Sequence, residues 1–186
     1  MPELTTSFRL AGKAGACKDS YKRFAKAVGG IKAYGQDTPI PLVKVLDVLG
    51  LYDALWCLRA VPPEQEAERD KLTRLLACDY AEGDSGNVLA IYEKQYPGDS
   101  RPRDCIAVSR RYAIGQATAL ELVAAQDAAL DAAWAARDAA RVARDAGTAR
   151  DAGAARAVAL DAARGANEWQ EAKFREYFAR KEGPDG

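Results

Sequence analysis

The segment TALELVAAQDAALDAAWAARDAARVARDAGTARDAGAAR, residues 118–156, is about half alanine, and its charged residues are almost all Arg or Asp. Alanine has the highest helix propensity of the natural residues. Thr118 and Glu121 have the TxxE spacing of a capping box, in which the two side chains satisfy backbone N–H groups at a helix start. The segment therefore predicts a long helix that begins near Thr118, with Gly147 as either its end or a kink.

The large apolar residues of this helix, Leu120, Val123, Leu130 and Trp134, fall on roughly one side of it. The rest of the helix surface carries small side chains, which allow a neighbouring helix to approach closely. Alanine methyl groups, however, bury little apolar area. We therefore expect Trp134, together with Trp169 further along, to anchor this half of the chain. The partner could be the N-terminal helices, another copy of the chain or a foreign protein.

A row of acidic residues lies along the same segment: Asp127 and Asp131 are four positions apart, and Asp131, Asp138 and Asp145 recur every seven positions. One interpretation is a row of carboxylates for a metal or for catalysis. The other is a solvated ladder of ion pairs, since Arg141 lies three residues from Asp138 and four from Asp145. We favour the ladder, because each acidic residue of the row is expected to have an Arg within helical reach.

Outward from this segment, apolar residues recur at helical spacing along most of the chain. No window shows the two-residue alternation of a strand, and KAYGQDTP, residues 32–39, is expected to be a loop. The predicted fold class is all-α: an irregular multi-helix bundle over residues 1–115, followed over 116–186 by the long Ala-rich helical segment and a C-terminal helix. The expected buried stripes are Tyr21/Phe24/Ala25/Val28, Leu42/Val45/Leu46/Leu49, Leu72/Leu75/Leu76/Tyr80, Cys105/Val108/Tyr112 and Trp169/Phe174/Tyr177/Phe178.

The composition argues against several kinds of active site. The chain contains no histidine, which excludes Ser-His-Asp and Cys-His arrangements and histidine zinc sites. The four cysteines, Cys17, Cys57, Cys78 and Cys105, have no CxxC spacing, so we expect four buried, reduced thiols. We predict no catalytic residue, no cofactor and no metal, and a protein that is not an enzyme.

The charges balance at 27 Lys and Arg against 27 Asp and Glu, which disfavours a general nucleic-acid binder. A basic helix near the N-terminus, with Lys18, Lys22, Arg23 and Lys26, keeps nucleic-acid binding through residues 9–32 open as an alternative. Its Tyr21 and Phe24 lie on the apolar stripe and are expected in the core. Neither a signal peptide nor an apolar run of about 20 residues is present, so we expect a soluble, cytoplasmic chain with no membrane partner.

Two further blocks carry a family resemblance. DALWCLRAV, residues 53–61, and YPGDSRPRDCI, residues 96–106, lead in this order to an Ala-rich tail. They resemble the helical immunity protein family of bacterial polymorphic toxin systems, which has phage and prophage relatives. The resemblance extends over approximately residues 50–165. It implies a bacterial cell as the setting and a protein that neutralises a partner by binding it, without catalysis.

The leading hypothesis is thus a non-enzymatic inhibitor that occludes a protein target, either a cognate toxin or a host defence component such as a CRISPR effector. The alternatives are a structural, self-associating phage protein that forms homo-oligomers through the Ala-rich helix, and the nucleic-acid binder described above. Polar and charged residues in loops and on the Arg/Asp face are the expected partner contacts. They are Asp84, Ser85 and Asn87 in the 83–87 loop, Asp99, Arg101 and Arg103 in the 97–103 turn, and Asp138, Arg141, Arg144 and Asp145.

Overall fold

The computed structural model describes residues 3–83, 88–145 and 168–179, and these are predominantly helical, as the sequence predicts. Two residue pairs, β1 (Thr5–Thr6) and β2 (Ile40–Pro41), form a small sheet, and 3₁₀ turns cover Leu58–Ala60 and Pro63–Gln65. The helices are α1 (Phe8–Lys13), α2 (Lys18–Ala27), α3 (Ile31–Tyr34), α4 (Leu42–Leu49), α5 (Leu51–Cys57), α6 (Glu66–Glu82), α7 (Val88–Gln95), α8 (Arg101–Ala113), α9 (Ala119–Asp145) and α10 (168–178).

The contacts of the chain divide it into two compact units. Unit 1 lies within Met1–Thr73 and Gln170–Gly186, and unit 2 within Arg74–Trp169. The division falls inside α6, whereas the boundary predicted from the sequence, between residues 115 and 116, lies in the connection between α8 and α9 within unit 2.

The antiparallel sheet of unit 1 corrects the expectation of a chain without strands. Thr5 is paired with Pro41 and Thr6 with Ile40. The Thr6 hydroxyl, which is buried, donates to the Ala60 carbonyl at 2.7 Å. Two-residue strands are too short to produce a recognisable alternation, because the strand period itself is two residues. Their position depends on contacts between segments that are distant in sequence.

An aromatic cluster around Phe8 forms part of the core of unit 1. The Phe8 ring makes edge-to-face contacts with Tyr21, Phe24 and Tyr34, at centroid distances of 5.3, 5.8 and 6.0 Å. Phe24 is buried, and the Tyr21 hydroxyl donates to the Phe8 carbonyl at 3.2 Å. The expectation that the aromatic residues of the basic helix belong to the core is confirmed for Phe24, whereas Tyr21 is half-buried with its ring against Phe8.

Glycines end the helices of unit 1 where the sequence predicts. Gly29, Gly30 and Gly50 have φ values of 82°, 98° and 91°, in the left-handed region that glycine adopts without a steric penalty. The expected loop over residues 32–39 is wrong in its first part, because α3 continues to Tyr34. A single helical turn contains too few residues to show a 3.6-residue period.

The C-terminal helix α10 is confirmed, and two of its expected anchors are fully buried. The rings of Phe174 and Phe178 pack against each other at a centroid distance of 4.5 Å. An ion pair of 2.7 Å joins Arg175 to Asp47 of α4, within the same unit. The burial of these two rings and the ion pair with Asp47 attach residues 170–178 of α10 to unit 1.

In unit 2, the C-terminal part of α6 is tied to α8 by a shared arginine. Arg110 pairs with Asp79 at 2.7 Å and with Glu82 at 2.5 Å. The buried Cys78 thiol, on the residue just before Asp79, lies 3.7 Å from the Ile106 carbonyl. Partial burial lowers the pKa of the Arg110 guanidinium, but the hydrogen bonds that it donates to both carboxylates outweigh this and raise its pKa. The Arg110 guanidinium is therefore charged throughout the physiological pH range.

The start of α9 has the capping box that the sequence predicts. The Glu121 carboxylate accepts from the Thr118 backbone N–H at 2.8 Å, and the Thr118 hydroxyl accepts from the Glu121 N–H at 3.2 Å. The two side chains thus satisfy backbone donors reciprocally. The expected break or kink at Gly147 lies outside the described residues.

Candidate protein-binding surface

Helix α9 turns its small residues inward. Among its described side chains, Leu122 and Ala132 are buried and Ala125, Ala128 and Ala129 are half-buried. Leu122, Ala125, Ala129 and Ala132 are spaced three, four and three residues apart and so share one face, with Ala128 at its side. Leu122 and Ala132 are buried, and α9 packs against α8. Alanine at three of these four positions lets the two helix backbones approach closely.

The opposite face of α9 carries the large apolar residues. Leu120, Val123, Leu130 and Trp134 are 79%, 51%, 55% and 52% exposed. At 100° per residue these four positions fall within an arc of about 80°, directed away from the buried alanines. We call this set the outer stripe. The sequence correctly groups the four residues on one side of the helix, but it does not indicate that this side faces solvent.

The outer stripe has the spacing of a helix-pairing surface. Positions 120, 123, 127, 130 and 134 follow the alternating three-and-four repeat that helices present to one another in coiled coils. Asp127 occupies the middle position and is exposed. Contiguous exposed apolar residues mark interaction sites, and a polar residue at one core position of a helix pair specifies the register of the pair.

Asp127 departs from the expected ladder of ion pairs. The residues three and four positions away are Val123, Ala124, Leu130 and Asp131, so no Arg lies within helical reach. Within the part of the chain that the structure describes, Asp127 forms no ion pair. The expectation that each acid on this helix is matched by an Arg is wrong at this position.

The turn between α7 and α8 holds three of the expected contact residues in intramolecular pairs. Asp99 accepts from Arg101 through both carboxylate oxygens, at 2.8 and 2.5 Å, and from the Tyr92 hydroxyl at 2.7 Å. Arg103 forms a bidentate pair with Glu93 of α7, at 2.6 and 2.7 Å. These pairs give the turn a defined shape, and its contact with a partner stays a prediction.

The electrostatics of this turn follow from the hydrogen bonds. The Arg101 guanidinium and then the Tyr92 hydroxyl lower the pKa of the Asp99 carboxyl well below its ordinary value. The Arg103 guanidinium lowers the pKa of Glu93 in the same way. Both carboxylates are therefore charged throughout the physiological range.

The other expected contact residues cannot be assigned a geometry. Asp84, Ser85 and Asn87 lie outside the described residues. The remaining four expected contact residues lie near the end of α9: Asp138, Arg141, Arg144 and Asp145. The helix backbone includes these positions, but their side chains lie outside the described part of the chain.

The cysteines correct one expectation. All four are free thiols, but Cys17 is exposed, Cys105 is half-buried, and Cys57 and Cys78 are buried. Cys17 precedes α2 rather than lying inside it, which explains its exposure. Hydrogen bonds from the backbone N–H groups of Ser20 and Asp19 lower the pKa of the Cys17 thiol, whereas burial raises that of Cys57 to about 12.

Over 3–83, 88–145 and 168–179, Cys, Asp and Glu form no group of three or more that could hold a metal ion. No helix within those same ranges combines the length and the apolar character needed to span a bilayer.

Comparison with known proteins returns no match to a family model, to a curated protein or to a solved structure.

Proposed function

We propose that this protein is a non-catalytic inhibitor that binds a partner protein through the outer stripe of α9 and occludes it. The single observation that supports this is the reversed arrangement of α9, with alanines packed inward and Leu120, Val123, Leu130 and Trp134 exposed. Leaving large apolar side chains in water forgoes about 1.5–3 kcal/mol for each one that could be fully buried. A partner that covers the stripe recovers part of this free energy.

The occupant that fits the stripe is a helix of another protein with a Lys or Arg opposite Asp127. Apolar side chains of that helix would pack between Leu120 and Trp134 at the same three-and-four spacing. Its cation would neutralise Asp127, which lacks an ion-pair partner among the described residues. Trp134 is the expected hot spot, since tryptophans contribute disproportionately to binding free energy.

A second copy of the chain is a poorer occupant. Asp127 lies midway between Leu120 and Trp134. In a parallel in-register pair, or in an antiparallel pair centred on the stripe, Asp127 of one copy would face Asp127 of the other. Like charges placed together at an interface cost up to several kcal/mol. The charge pattern therefore favours a foreign protein over self-assembly.

The class of partner follows from the family resemblance. Immunity proteins neutralise a toxin by binding it, and DALWCLRAV and YPGDSRPRDCI carry the resemblance in this chain. The proposed target is accordingly a bacterial toxin, or a host defence protein if the gene is phage-borne.

The test is affinity capture from the native bacterial host, followed by mass spectrometry and an activity assay of the captured protein. Leu130→Glu places a charge within the stripe and is expected to lose the partner. Ala135→Glu adds the same charge to an exposed position of α9 outside the stripe, and is expected to retain it. An equimolar amount of wild-type chain should abolish the partner's activity, and Leu130→Glu should not.

Two results would contradict the proposal. One is retention of every captured protein by Leu130→Glu at wild-type levels, with both variants unfolding at the wild-type temperature. The other is a stable dimer in sedimentation that Leu130→Glu dissociates, which would assign the stripe to self-association.

A further inference from the structure

Unit 1 contains a cavity of about 370 Å³, far from any residue of the outer stripe in sequence. This volume lies within the roughly 300–1,000 Å³ range of protein pockets that hold small molecules. The segment before α1, α1 itself, the start of α2, β2, α4 and α5 all contribute to its wall. Aromatic side chains make up much of the lining: Phe8, Tyr21, Phe24, Tyr52 and Trp56.

The cavity wall has one charged side chain among the described residues that form it, the Asp53 carboxylate, and neither Lys nor Arg. Asp53 is half-buried. It has no hydrogen bond or ion pair within the part of the chain that the structure describes. A carboxylate at an apolar wall without a cation of its own attracts a cationic group and repels an anionic one.

The two thiols at the wall do not counter this charge. The Cys57 thiol has a pKa of about 12, raised by burial and by the Asp53 carboxylate, and so is neutral at physiological pH. Cys17 lies at the cavity wall with a lowered pKa, and any thiolate formed there adds negative charge. Both groups leave the cavity neutral or negative.

The aromatic residues favour cations as well. The face of an aromatic ring attracts positive charge. Trp56 of the cavity wall is the exception, because the Arg59 guanidinium already lies 5.2 Å from its ring centroid. An organic cation inside the cavity would meet several such rings together with the Asp53 carboxylate.

We propose that this cavity binds a small organic ammonium compound, whose apolar or aromatic body packs among Phe8, Tyr21 and Trp56 and whose positive group pairs with Asp53. The site shares no residue with the outer stripe. Its ligand would be a protonated primary or secondary amine on a body of one or two rings.

The experiment is calorimetric titration of the chain at pH 7 with three probes that share a naphthalene body. These are 2-naphthylmethylammonium, the neutral 2-naphthalenemethanol and the anionic 2-naphthoate. The ammonium probe should bind at least about tenfold more tightly than the alcohol, and the carboxylate should bind most weakly. Equal affinity for the ammonium and the alcohol, preference for the carboxylate, or no binding of any probe would each overturn the proposal.

Variants assign the charge recognition to Asp53. Asp53→Asn should weaken ammonium binding by about tenfold, to the level of the alcohol. Glu64→Gln, at an exposed position that does not line the cavity, is the matched control and should bind as the wild type does. Unchanged ammonium affinity in Asp53→Asn would overturn the proposal.

A second readout locates the probe. Saturating 2-naphthylmethylammonium should slow the alkylation of Cys17 by iodoacetamide at least threefold, because Cys17 lies at the cavity wall. An unchanged rate at saturation would place the probe elsewhere and reject the site. Leu130→Glu should bind the probe with wild-type affinity, which separates this site from the proposed protein-binding surface.

Discussion

Helices α10 and α9 both carry large apolar residues at helical spacing, but they place them in opposite environments. In α10, Phe174 and Phe178 are fully buried in unit 1. In α9, Leu120 and Leu130 are more than half exposed, and alanines fill the buried face instead. An apolar stripe therefore predicts that a helix will pack against something, and it does not tell whether the neighbour is the same chain or another protein.

The largest expected effect comes from removing a buried ring in α10. Phe174→Ala should lower the free energy of unfolding by about 3–5 kcal/mol, since it removes a fully buried aromatic side chain and leaves a cavity. Leu120→Ala, at a position that is 79% exposed, should change it by no more than about 0.5 kcal/mol. Urea denaturation of both variants gives the two values. A loss of more than about 2 kcal/mol in the free energy of unfolding for Leu120→Ala would contradict the contrast between α9 and α10, because it would mean that the outer stripe stabilises the fold.

An intermediate effect is expected from enlarging the inner face of α9. Ala132→Leu adds three carbon atoms at a fully buried position and should destabilise the protein by about 1–3 kcal/mol through overpacking. Ala135→Leu makes the same change at an exposed position and should stay within about 0.5 kcal/mol of the wild type. Thermal unfolding followed by circular dichroism compares the two. Equal stability of both variants would show that the inner face of α9 is not closely packed.

The smallest effect concerns charge and should depend on pH. The pKa of Asp99 is lower in the folded state than in the unfolded state. This carboxylate therefore stabilises the fold at pH values above its unfolded pKa of about 3.9. The stabilisation is lost as the pH falls through the lower pKa of the folded state. Asp99→Asn should therefore be less stable than the wild type at pH 7, and the difference should shrink as the pH falls below about 4. Denaturation at pH 7, 4 and 2.5 measures it. A difference that is constant over this range would mean that the ion pair with Arg101 contributes nothing.

Periodicity and capping rules predicted most of the helices, because these depend on residues that are close together in the chain. Thr118 and Glu121 form the capping box that their spacing indicates, and Gly50 ends α4 with a positive φ. The two-residue strands and the single turn of α3 were missed, since elements of that length contain no period. Cys17 was expected to be buried and is exposed, because it lies one residue before a helix rather than within it.

The sequence predicted the grouping of residues in the outer stripe but not the residues that line the cavity of unit 1. The sequence places Leu120, Val123, Leu130 and Trp134 on one face of α9, and their spacing with Asp127 is a signal for helix pairing. Asp53 and Cys17 at the cavity wall could not have been associated from the sequence. They are 36 positions apart and adjoin the same space only because α2 and α5 are packed within one unit.

The amino-acid sequence by itself determined the all-α class, the start of α9 and the grouping of apolar residues into stripes. These follow from local backbone preferences and from the 3.6-residue turn, which act over a few residues. Only the tertiary structure decided which stripe of α9 is buried. Both faces are apolar. The alanine face packs against α8, because small side chains let the two helices approach closely.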